Sequence, residues 1–267
     1  MSTSPRMRRR HASIAAGAVI GLLTIAGWSV LHHTTSPHPG SAPPSGQHRV
    51  PVAAATPPTS SAPTTRAADV EQDLRRLRAV APVAASSQTR RIAGEQAQQP
   101  DLYAAEFVRR LLTIDFRSPR AEHLAWVQAE SARTTEPLVV GLVPEDLRDR
   151  LAVYSVTDTT AGGDAPIPDE QEWNQLAATN THTTVQVQRV SEPLAWTNAV
   201  ADGRITDPGI TGRQVAALVT RHTKGSDGDH ATKFSVALTL NLEGPPTHST
   251  WGFVTLVTYT AIPIGTP

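Results

Sequence analysis

The sequence predicts an α+β fold, with helices packed on one face of a curved antiparallel sheet, carried behind an N-terminal transmembrane helix. Three observations predict it. Ala12–Leu31 is an unbroken apolar run without a charged residue. Downstream, apolar residues first recur at helical spacing behind proline-led starts. From Thr183 onward the period drops to two, the signature of strands. Helices first and long strands afterwards is the α+β order.

The apolar run comes first in the chain. Twenty residues at a rise of about 1.5 Å each match the roughly 30 Å hydrocarbon core of a bilayer. Arg6, Arg8, Arg9 and Arg10 precede it, and no further arginine occurs until Arg49. That asymmetry predicts a cytoplasmic tail (1–11), a single span (12–31) and an extracytoplasmic remainder in the cell membrane. A cleaved signal peptide would have a shorter apolar core and a small-x-small site close behind it. Ser29-Val30-Leu31-His32-His33 has no such site, so an uncleaved anchor is the expectation. Gly17 and Gly21 stand four apart within the span, a spacing that lets two helix backbones approach closely in lipid. Self-association is therefore expected as well.

Charge narrows the function classes. The chain is neutral overall and has no cysteine. Setting aside the five arginines before residue 66 leaves 19 basic against 24 acidic side chains, net −5. A mildly acidic outer part is poorly suited to phosphate backbones, so no direct nucleic-acid binding is expected. Without disulfides, an exported domain must fold on core packing alone. The bias toward arginine over lysine, with abundant Ala, Thr and Pro, points to a GC-rich coding genome.

Residues 32–65 read as a disordered linker. They hold eight prolines between Pro37 and Pro63 and almost no large apolar residue. Such a chain cannot bury enough surface to offset the entropy of ordering. Residues 66–100 read as a short helix and further linker. Val70, Leu74, Leu77 and Ala81 share one helical face up to Pro82, able to pair with a copy of itself or to cover the adjoining domain.

The folded domain is expected over residues 101–264. Leu102, Ala105, Val108, Leu111 and Leu112 mark a helix that begins near Asp101 as N-cap. Ser118-Pro119 predicts a second start, with Ala121, Leu124, Ala125, Val127 and Gln128 on its face. Pro144-Glu145-Asp146 and Pro168-Asp169-Glu170 open two shorter helices whose acidic first turns suit the helix dipole. Then come four strand patterns: Thr183–Val190, Gln214–Thr223, Lys233–Leu242 and Thr250–Ile262. The polar turns at Lys224–Asp229 and Gly244–His248 join the last three as a meander. Trp126, Trp173, Trp196 and Trp251 are expected to anchor packing.

Three short stretches carry a family resemblance: Ala104-Ala105-Glu106-Phe107-Val108, Phe116-Arg117-Ser118-Pro119-Arg120 and Leu124-Ala125-Trp126. Strands ending at Trp251–Ile262 come after them. Together with the anchor they resemble the nuclear-transport-factor-2-like cone fold on a membrane anchor. In particular the chain resembles bitopic assembly factors of type IV secretion and conjugation machines, including the TcpC family of Gram-positive conjugative elements. TcpC-type proteins often carry two cone domains, and this chain has room for one. The resemblance implies a scaffold without catalysis, partnered by itself and by other transfer-channel proteins. The same layout occurs in membrane proteins associated with actinobacterial Mce lipid-import systems.

Cone folds also enclose ligand pockets with an Asp or His base, as in ketosteroid isomerase-like proteins. The residues available for such a site are Asp115, His123, His182 and His222. His182 and His222 fall at strand ends and are expected to face solvent, and His123 to lie at a surface or interface. No metal-ligand spacing, nucleophile elbow, phosphate loop or dinucleotide fingerprint occurs. No catalytic, cofactor-binding or metal-binding residue, and no cofactor, is therefore expected.

Overall fold

The computed structural model describes residues 64–81, 83, 90–158, 165–225 and 228–265. The predicted tail, the span Ala12–Leu31 and the linker up to residue 63 lie outside them. Among the described residues, no helix is long and apolar enough to cross a membrane.

The architecture is α+β. Helices α1 (Thr64–Ala79), α2 (Pro100–Leu112), α3 (Arg120–Glu130), α4 (Pro137–Leu142), α5 (Leu151–Thr157) and α6 (Glu170–Ala178) precede the sheet. Strands β1 (His182–Ser191), β2 (Ile210–Gly225), β3 (Gly228–Glu243) and β4 (Gly252–Ile264) then pair antiparallel in the order β1-β2-β3-β4. A short helix, α7 (Leu194–Ala201), interrupts the path from β1 to β2.

Local chemistry explains the helix starts. Pro100 occupies the first turn of α2, where a missing N–H costs nothing, and Gln99 is the extended cap. The cap thus falls two residues before the expected Asp101. Its buried face is Tyr103, Ala104, Phe107, Val108 and Leu111, while Leu102 is exposed. Val108, Leu111 and Leu112 of the predicted face are buried, and Tyr103 and Phe107 join them in place of Leu102, because two aromatic rings outweigh one leucine in buried area. Phe107 stacks on Phe253 of β4 at 4.3 Å and on Trp126 of α3 at 5.3 Å. In α3, Pro119 rather than Ser118 is the cap. Asp169 caps α6 as its position predicts, accepting from the Glu172 N–H at 2.8 Å.

The main core lies between α2, α3 and one face of the sheet. Val215 and Ala217 of β2 and Val236, Leu238, Leu240 and Leu242 of β3 supply that face in strict alternation. Strand β4 departs from the predicted Trp251-Phe253-Thr255-Val257-Tyr259 alternation. Its register against β3 shifts twice, between Thr239 and Leu240 and between Asn241 and Leu242. Each shift reverses which side chains face inward. Phe253, Leu256 and Tyr259 therefore meet the main core, and Val257 turns to a second cluster with Leu77, Val139, Leu147, Leu151 and Tyr154. That cluster seats α1 and α5 beside β4. Leu77, Ile92 and Ala97 are buried, so residues preceding Asp101 contribute to packing.

Both sheet edges are partly covered. On β4 the outward Leu256 N–H donates to Ser155 Oγ of α5 at 3.0 Å. The Ala132 N–H donates to the Phe253 carbonyl at 2.7 Å. On β1 the Thr183 N–H donates to the Ile114 carbonyl at 2.8 Å, and a register shift occurs farther along, between Val187 and Arg189. Such devices discourage edge-to-edge pairing.

Candidate functional site

The structure gathers three of the four sequence candidates and sets the fourth apart. Asp115 forms an isolated antiparallel bridge with His182 at the start of β1. His182 stands directly opposite His222 of β2, and their rings stack at 4.7 Å. His182 is exposed, as expected, whereas His222 is half-buried, and its Nε2 lies 3.2 Å from Thr184 Oγ1. The Asp115 carboxylate accepts from Arg117 Nε at 2.9 Å and Nη2 at 2.6 Å. Those bonds and the Arg117 N–H draw its pKa down to about 2. A base tuned for proton abstraction near neutrality needs the opposite shift.

His123 is half-buried and stands apart from that group. Its ring lies between Trp126 and Trp173, at 5.9 and 6.0 Å. Its Nε2 is 3.0 Å from the Leu111 carbonyl, which can only accept, so Nε2 carries the proton. Burial holds its pKa below the usual histidine value. It joins α2 to α3 as a packing residue.

Three carboxylates that motif reading passed over are buried. Glu130 accepts from the Ile92 N–H at 2.6 Å and from the Tyr103 hydroxyl at 2.9 Å. Burial raises its pKa despite those donors. Glu243, at the end of β3, accepts from the Thr135 N–H at 2.8 and 3.0 Å and from the Thr135 hydroxyl. Glu106 holds Arg109 and Arg110, and the Arg109 hydrogen bonds in particular lower its pKa. The first two fasten loops to the core, because a buried carboxylate must be met by donors. The signal was present for Glu130, a charge three residues after Val127 on the apolar face of α3.

A concavity lies where α7 crosses β2. It has a volume of about 360 Å³, with Trp196, Val200, Ile205, Ile210 and Trp251 on its apolar side. Gly212 makes this possible: a Cβ there would stand 2.8 Å from the Trp196 ring. Arg213, Glu192 and Asp207 supply the polar side. The Arg213 guanidinium is already engaged. It donates to Asp101, Thr211, Glu192 (3.3 Å) and the Gly212 carbonyl (2.7 Å). Beside the cleft, Leu194 is 75% and Val200 48% exposed. Its arginine is thus paired within the chain, and apolar side chains stand uncovered beside it. Among the described residues, no three His, Asp or Glu side chains converge as metal ligands.

No protein-family model and no curated protein matches this chain. One solved structure is similar: an IcmL-like type IV secretion system protein from Legionella pneumophila. It is 9% identical, at a TM-score of 0.32, over 62% of this chain and 92% of that one. At that TM-score the likeness carries no argument for this chain's fold or role.

Proposed function

We propose that the protein is a bitopic membrane scaffold of a conjugative, type IV secretion-like transfer channel, acting through self-association and protein contacts and not as an enzyme. The observation that carries the reading is the arginine-flanked apolar run Ala12–Leu31, succeeded by a proline-rich tether and an α+β module. This order keeps the tail in the cytoplasm and holds the module outside. The finer fold reading is a nuclear-transport-factor-2-like cone over residues 101–264. Register shifts in β1 and β4 support it, because bulges bend sheets, as does the packing of α2 and α3 on one face of the sheet. A scaffold needs uncovered apolar surface, and Leu194 and Val200 on α7 supply it.

The test is element transfer between donor and recipient cells. Deleting the gene abolishes transfer, and the full chain restores it. Unchanged transfer in the deletion strain overturns the assignment and favours the lipid-import machine. Site-specific crosslinking in membranes from α7 should trap a second copy or a channel component.

A further inference from the structure

We propose that His182 and His222 form a two-point chelating site for a divalent transition-metal ion such as Zn²⁺ or Cu²⁺. The two residues are far apart in sequence and belong to no metal motif. The register of β1 against β2 makes them direct partners. Direct partners on antiparallel strands project to the same face, with Cβ atoms about 5 Å apart. This is the separation at which two imidazoles can grip one ion.

The backbone placement suits chelation, and the rings reach it by turning. Zinc–nitrogen bonds of about 2.0–2.1 Å place two tetrahedral ligand nitrogens roughly 3.3 Å apart. The rings now lie stacked, with centroids 4.7 Å apart and planes 11° from parallel. Chelation requires each ring to turn about its side-chain torsions until the two planes meet at the ion and the lone pairs converge. The surroundings permit it. His182 is exposed, and Thr184 holds His222 by a single hydroxyl contact at 3.2 Å. The Asp115 carboxylate beside His182 is already paired with Arg117 through both oxygens, so the two imidazoles are the protein's ligands. Water fills the remaining coordination positions. Imidazole pairs suit zinc, copper and nickel over calcium or magnesium. The bound ion ties β1 to β2 at the end of the sheet where the β2–β3 turn emerges.

The test uses the full chain in detergent micelles at about pH 7.5. Diethyl pyrocarbonate modifies each histidine, and peptide mass spectrometry reads each rate with and without a zinc salt. His230 and His248 serve as internal references, and histidines in the linker are scored separately. Zinc is expected to slow modification of His182 and His222 together. In His182→Gln, about 100-fold more zinc is needed to protect His222, because a chelate loses its second anchored donor. His222→Gln read at His182 gives the same comparison if the first variant unfolds more easily. Protection of the pair no greater than that of His230 overturns the site. So does undiminished protection of His222 in His182→Gln.

Discussion

Glu130 shows how a single residue ties sequence to fold. It is fully buried, yet it satisfies an amide from the Ile92 segment and a hydroxyl from α2 at once. Removing it strands both donors. Glu130→Ala is expected to cost about 2–4 kcal/mol in chemical denaturation. Glu130→Gln keeps an acceptor for Ile92 and removes the buried charge. The pH dependence comes from the raised pKa. Between the unfolded carboxylate value and the higher folded value, the native state holds more protons than the unfolded one. Wild-type stability therefore falls as pH rises through that window. Glu130→Gln should lose that slope, so its stability relative to wild type improves from acid toward neutral pH. A slope equal to that of wild type would show that Glu130 does not titrate with folding.

At the scale of elements, the covering of β4 matters most. Helix α5 lies along the strand, and Ser155 accepts the outward amide of Leu256 while donating to the Ala152 carbonyl at 3.0 Å. Ser155→Ala removes the acceptor and leaves a buried N–H unpaired, at about 1–3 kcal/mol. Amide exchange should quicken at Leu256 first, and uniform exchange across the sheet would refute a local role. Gly244 has a comparable part: a Cβ there would run into the Trp251 ring. The strands were legible in sequence because Val236, Leu238, Leu240 and Leu242 alternate without interruption. The inward set of β4 was not, because two bulges are decided by pairing with β3 and leave no mark in the residue types.

For the whole molecule, the question is which surface meets a partner. Both sheet edges are partly blocked, by α5 on β4 and by the 114–115 segment on β1. Pro263 adds a residue without an amide near the exposed end of β4. Exposed apolar side chains stand on α7 at Leu194 and Val200 and at the end of β4 at Ile262 and Ile264, and Leu194 is the most exposed of these. Leu194→Glu with Val200→Glu should leave stability within about 0.5 kcal/mol, as for other surface changes. The same pair should abolish crosslinks in membranes and reduce transfer. Retained crosslinks would move the contact away from α7.

Residue pattern alone accounts for the helix-then-strand order, the proline-led helix starts, the polar turns and the expectation of an anchored outer module. These are local properties, readable wherever periodicity and backbone restriction act over a few neighbouring residues. Packing accounts for the rest. It brought Phe107 of α2 onto Phe253, set His123 against two indoles, buried Glu243 and aligned His182 with His222. Each of these depends on strand register or on a partner distant along the chain. No window of sequence contains both members of such a pair.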